Sequence, residues 1–257
     1  MPYKSLNYKK ENGMGVITLN RHAVDNSIDI RLAEELNDIC VSINHDDDVR
    51  VVVIIGAGEK AIRIGSDPKE FSAVVDNEIE FGLMSVATPV ASLKCPVIVA
   101  IDGDALGQDL EMVLACDIRI AAETAHFALP HIASGFIPWD GATQRLPSLI
   151  GKAKAMEMIL TGQSIDAMEA YQIGLVSKVV SPEELIPVVM NMAETMATKA
   201  SWALKYAKEA ILNGLDMTLE QGLRLEADLY FLLQTTEDRT EGIKAFLEKR
   251  PAEFKGI

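Results

Sequence analysis

Two segments concentrate polar and acidic residues where the surrounding sequence is apolar. The first, Asp102-Gly103-Asp104-Ala105-Leu106-Gly107-Gln108-Asp109-Leu110-Glu111, follows the apolar run Val97-Ile98-Val99-Ala100-Ile101 and leads into helical spacing. A glycine, an amide and two carboxylates therefore crowd a strand-to-helix turn. Unpaired N–H groups and positive potential at a helix N-terminus suit an oxygen that gains negative charge during a reaction. Asp109 and Glu111 can equally act as partners of the helix dipole, worth about 0.3–1 kcal/mol each. The second segment runs from Ala57 to Phe71 and carries Gly65-Ser66-Asp67. It follows a buried strand, and ligands of α/β proteins gather beyond the carboxyl ends of strands. An ordinary β-to-α turn would read the same way. Neither segment carries the glycine pattern of a dinucleotide-binding or P-loop site.

The elements that must position these segments are legible around them. Gly15–Leu19 reads as a strand. Leu32, Leu36, Ile39 and Ile43 recur at four, three and four residues, which predicts an amphipathic helix. The acidic run Asp46-Asp47-Asp48 closes it as a solvated loop. Val51–Gly56 and Cys95–Ile101 are continuous apolar runs, the pattern of strands buried on both faces, with Pro96 at the second entrance. A helix from Gly107 leads into the strand Ile118–Ala121, and a short strand follows at Phe127–Leu129. Next come a turn-rich stretch from Ser134 to Gly141 and a long helical pattern beyond Lys152. From Pro182 to the end the chain reads as helical, with amphipathic stretches at Trp202–Leu212 and Leu223–Leu233. The expectation is an α/β layered core over residues 1–180 and a helical region over 181–257. The helical stripes can cap their own core or form a subunit interface.

Composition narrows the partners. The 257 residues hold 24 Lys+Arg against 38 Asp+Glu, a net charge of −14 that opposes binding to nucleic acid. At 49% hydrophobic residues the chain has the apolar surface for a substantial core. Cys40, Cys95 and Cys116 are isolated inside apolar runs and read as small hydrophobes rather than metal ligands or disulfide partners. The N-terminus has no apolar signal core and no 18-residue apolar stretch follows. A cytoplasmic protein without a membrane partner is expected.

The two polar segments, taken with Cys116-Asp117-Ile118-Arg119-Ile120-Ala121-Ala122, Gly141-Ala142-Thr143-Gln144-Arg145-Leu146-Pro147, Leu160-Thr161-Gly162, Ala170–Val176 and Glu241–Arg250, resemble the crotonase (enoyl-CoA hydratase/isomerase) superfamily in order and over nearly the whole chain. The resemblance implies a crotonase-like layered β-sheet core with surrounding helices and a helical C-terminal trimerisation region. It implies an acyl-CoA thioester substrate, so coenzyme A enters with the substrate and not as a separate cofactor. It also implies a thioester enolate held by two backbone N–H groups, which here fall at Ser66 and Gln108. Family members usually carry three glycines where this chain reads Gly107-Gln108-Asp109.

Hydratases of the family use two glutamates as acid and base. Glu111 matches the first, which activates water. The second stands in a Pro-Glu-Ile segment, and this chain has Pro130-His131-Ile132. His131 is thus either a replacement, with an unperturbed pKa near 6.5, or a satisfied polar residue. Some subfamilies carry a working aspartate next to the position of Asp140, making Asp140 a second candidate carboxylate, although a helix N-cap explains it as well. Trp139 adds bulk that suits a cyclic or otherwise unsaturated acyl group. Contacts to coenzyme A are implied at Ile64, Asp67 and Lys69, with Phe246 and Lys249 reaching a neighbouring subunit's nucleotide in a homotrimer or dimer of trimers. An acyl-CoA hydrolase using Asp140 and a catalytically silent acyl-CoA binder are the alternatives.

Overall fold

The structure, a computed structural model, describes residues 3–20, 28–56 and 84–256. The expected α/β architecture is present as a six-stranded sheet. β1 (Leu6–Glu11) and β2 (Met14–Leu19) form an antiparallel hairpin; β3 (Val51–Gly56), β4 (Val97–Ile101), β6 (Ile118–Ala122) and β9 (Lys178–Val180) follow in parallel, in the order β1-β2-β3-β4-β6-β9. A second sheet joins β5 (Ala105–Leu106), β7 (His126–Ala128) and β8 (Ile165–Asp166), with β5 and β7 parallel.

The apolar runs predict β3 and β4 because these strands are covered on both faces. Val52 and Ile54 pack into one core with Leu32, Leu36, Ile39 and Ile43 of α1 (Ile30–Asn44). Val51 and Val53 pack into a second, with Leu185, Val189 and Ala193 of α7 (Pro182–Ala197). The change to helical sequence at residue 181 therefore begins with a helix that belongs to the sheet. The rest of that region is α8 (Ser201–Gly214), α9 (Leu219–Leu233) and α10 (Glu237–Glu248).

Helix does not continue to the end, as the sequence suggests. Lys249 caps α10 at φ 54°, and Asp238 accepts hydrogen bonds from Lys255 N (2.7 Å) and Gly256 N (2.9 Å), which folds residues 249–256 back onto α10. The acidic run is less free than a solvated loop. Lys10 pairs with Asp46 and Asp48, and Lys205 of α8 pairs with Asp47 at 3.0 Å. Lys208 adds an ion pair to Asp117 (2.7 Å) and a hydrogen bond to Cys95 O (3.0 Å), fastening α8 to the entrances of β4 and β6. The three cysteines are buried and free.

Between β3 and α7 lie the elements that build the site. They are α2 (Ala87–Ala91), α3 (Gln108–Ala115), a 3-10 helix at Pro130–Ser134, α4 (Ala142–Ile150), α5 (Lys152–Thr161) and α6 (Ala167–Gln172).

Candidate active site

Every residue of α3 is buried, including Gln108, Asp109 and Glu111 in its first turn. Polar side chains in such a place require partners or a task. Three other segments converge on this turn: Met84–Ala87 at the entrance of α2, the 3-10 helix, and the turn before α4.

Strand pairing brings the 3-10 helix in. β5 and β7 run parallel, with Leu106 beside Ala128, and the pairing continues as Gly107 N donates to Ala128 O at 2.9 Å. Residues just beyond both strand ends therefore meet. Gly107 starts α3 at φ 63°, and a Cβ added there would lie 3.8 Å from the His131 ring, so His131 sits over the helix N-terminus. His131 Nε2 lies 3.6 Å from Glu111 Oε2.

Glu111 has two unlike oxygens. Oε1 accepts hydrogen bonds from Asp140 N (2.8 Å) and Ala142 N (3.0 Å). Oε2 is buried and, among the described residues, has no hydrogen-bond partner. Burial pushes the carboxyl up to about 7; the nearby Asp140 charge adds to this, while the backbone donors oppose it. Burial lowers the pKa of His131, and its Nδ1 has no hydrogen-bond partner among the described residues. A positive imidazolium would leave a buried N–H unsatisfied, which favours the neutral ring. The first turn of α3 thus holds an acid of raised proton affinity beside an imidazole of lowered affinity.

Asp140, expected as a second working carboxylate or as the cap of the helix that follows it, does something else. Its carboxylate accepts from Ser85 Oγ (2.5 Å), Val86 N (2.8 Å), Ala87 N (3.0 Å) and Gln108 Nε2 (3.3 Å). It therefore caps α2, more than fifty residues away in sequence. The residue at the N-cap of α4 is Gly141, with no side-chain cap bond. Gly141 adopts φ 106°, and a Cβ there would overlap the Arg145 guanidinium, which donates to Asp140 O at 2.8 Å. Because this turn presents both N–H groups to Glu111, Gly141→Ala should strain it by about 1–3 kcal/mol. The expected result is a lowered melting temperature and a turnover reduced by at least about tenfold, checked by calorimetry and steady-state rates.

The remaining expected residues divide into two groups. Ser66, Ile64, Asp67 and Lys69, with the rest of the Ala57–Phe71 segment, lie outside the described residues. Phe246 stands 81% exposed on α10 and Lys249 is that helix's left-handed cap; no described hydrogen bond or ion pair joins either to Glu111 or His131. Sequence reasoning missed Ser85, the side chain of Gln108 and Arg145 as supports of the turn. Only the family-like Thr143-Gln144-Arg145 segment carried a signal for any of them. Among the described residues no helix is long and apolar enough to cross a membrane.

Comparisons with known proteins show the family and the fold. The family model described as enoyl-CoA hydratase/isomerase matches residues 9–257. A crotonyl-CoA hydratase of Syntrophomonas wolfei is 36% identical, with 99% of each chain covered. The crystal structure of an enoyl-CoA hydratase from Bacillus anthracis superposes with a TM-score of 0.93 at 40% identity, covering 99% of this chain and 100% of that one. Enoyl-CoA hydratase subunit I from Geobacillus kaustophilus gives 0.91 at 34% identity, with both chains fully covered.

Proposed function

Because this chain belongs to the enoyl-CoA hydratase/isomerase family, we propose that it acts on an unsaturated acyl-CoA through a thioester enolate, with Glu111 and His131 as an atypical acid/base pair. The observation that carries this reading is the 3.6 Å approach of His131 Nε2 to Oε2 of Glu111, which has no hydrogen-bond partner among the described residues, at the N-terminus of α3.

Hydration adds hydroxide to Cβ and a proton to Cα. A pair holding one proton takes a second from water on one member and returns one to Cα from the other, so its proton count is unchanged. Isomerisation needs less: a proton leaves one carbon and returns at another, carried by the same pair. In both cases charge builds on the thioester oxygen, and the backbone N–H groups of Gln108 and Ser66 are the donors assigned to it. A preorganised donor of this kind is worth about 3–4 kcal/mol. Coenzyme A enters as part of the substrate, with Ile64, Asp67 and Lys69 as its contacts. Phe246 and Lys249 are assigned to a neighbouring subunit's nucleotide in a homotrimer or dimer of trimers. Support for an assembly comes from the apolar side chains α8–α10 leave exposed, among them Ile211, Leu219, Phe231 and Leu247.

The hydrolase reading is less well supported, because the Asp140 carboxylate is occupied by four donors. A silent binder gives no reason for a buried acid of raised pKa beside a histidine. The test is a panel of enoyl-, dienoyl- and cyclic alkenoyl-CoA thioesters, followed by loss or shift of the conjugated-thioester absorbance. Turnover of at least one member is expected. Binding without turnover across the panel would favour the silent binder.

A further inference from the structure

We propose that Gln108 and Asp140 are positioning residues, forming a buried staple that sets where Glu111 and the N-terminus of α3 stand; the proposal rests on the reading of Glu111 as acid/base. Gln108 occupies a place where a glycine would leave open space, yet its side chain does not stand free above the helix. It is 1% exposed, and Nε2 donates to Met84 O (2.7 Å) and to Asp140 Oδ2 (3.3 Å). The amide therefore ties the start of α3 to the segment entering α2 and to the turn before α4.

Asp140 is the joint between these parts. Its carboxylate gathers Ser85 Oγ, Val86 N and Ala87 N besides Gln108. Its own N–H holds Glu111 Oε1, and its carbonyl takes the Arg145 guanidinium. One residue thus grips α2 and α3 with its side chain while its backbone holds the acid. A displacement of Gln108 passes through residue 140 to Glu111, and a carboxylate shifted by an ångström loses on the order of 10²-fold in rate. The negative charge of Asp140 also reaches Glu111, raising its proton affinity. Among the described residues, the other charged or titratable groups near Glu111 in space or sequence are His131 of the 3-10 helix, 3.6 Å from Oε2, Arg145 of α4, which donates to Asp140 O, and Asp109, two residues earlier in the same helix.

The staple is tested with Gln108→Met, which keeps the volume and removes the donor, and Ser85→Ala, which removes a donor from the other side. Both are expected to lower kcat, Gln108→Met by about tenfold or more and Ser85→Ala by a smaller factor, with KM within about twofold of wild type. A readout independent of turnover is the titration of Glu111 by ¹³C-carboxyl NMR, assigned by its loss in Glu111→Gln. Asp140→Asn removes the neighbouring charge, so the Glu111 midpoint should move to lower pH. Wild-type kcat in folded Gln108→Met and Ser85→Ala, or a Glu111 midpoint unmoved in Asp140→Asn, would overturn the proposal. Should Gln108→Met fail to fold, Ser85→Ala and the titration decide. If wild type turns over no thioester while the midpoint still moves, the coupling of Asp140 to Glu111 stands and the assignment of the reaction falls.

Discussion

Glu111→Gln is expected to lower turnover of an unsaturated acyl-CoA by about 10³-fold, within the span that loss of a general acid/base produces, while making the protein more stable at pH 8. The amide oxygen can still accept from Asp140 N and Ala142 N, so the turn before α4 keeps its two bonds. What disappears is the buried acid. The folded-state pKa of Glu111 is raised to about 7 from 4.5. The folded protein therefore binds this proton more tightly than the unfolded chain. Its stabilising contribution is complete below pH 4.5, declines as pH rises through the window to 7, and is absent above it. The shift corresponds to roughly 3 kcal/mol. Melting temperatures of wild type and Glu111→Gln should accordingly diverge as pH rises from 4.5 to 7, in favour of the variant. Parallel curves would mean that Glu111 does not carry a raised pKa.

Replacing His131 by Phe is expected to cost about 10²-fold in kcat/KM and to change the shape of its pH profile. The wild-type profile should be a bell. On the alkaline side activity falls as the shared proton leaves Glu111 through about pH 7. On the acid side it falls when a second proton enters His131, below the ordinary imidazole value of 6.5 because burial depresses this pKa. His131→Phe should abolish the acid limb and keep the alkaline one. His131→Glu, which returns a titratable group to the same place, should retain more activity than His131→Phe. An acid limb that survives in His131→Phe would assign it to another group.

How much of this was readable from sequence depends on how local each cause is. The runs Val51–Gly56 and Val97–Ile101 announce buried strands because burial on both faces demands apolar side chains at every position. The four-three-four spacing from Leu32 to Ile43 predicts α1 for the same kind of reason, and Asp29 confirms its start by accepting from Leu32 N. β1 escaped because Leu6-Asn7-Tyr8-Lys9-Lys10-Glu11 is an edge strand whose residues are mostly not buried. β8, α6 and β9 are too short to show a period. The tail after Glu248 reads as helical in composition, but Asp238 captures its N–H groups.

At the site, the family pattern marked Glu111 and His131 individually, twenty residues apart. Their proximity follows from the parallel pairing of β5 with β7, a tertiary fact. Asp140 is the sharper case. An aspartate ahead of a helix reads as that helix's cap, whereas folding delivers its carboxylate to α2, with partners at residues 85–87 that no local pattern connects to it.

The mechanism rests on Glu111 and His131 together carrying the protons of the reaction. Wild type, Glu111→Gln and His131→Phe would be incubated in H₂¹⁸O with the thioester that wild type turns over, and the acyl-CoA products separated by chromatography, which resolves double-bond isomers of equal mass, and weighed by mass spectrometry. The account predicts an ¹⁸O-labelled hydroxyacyl-CoA from wild type, or an unlabelled double-bond isomer if the substrate isomerises, with either product sharply reduced in both variants. ¹⁸O in a released free acid, or a wild-type yield undiminished in Glu111→Gln, would contradict it.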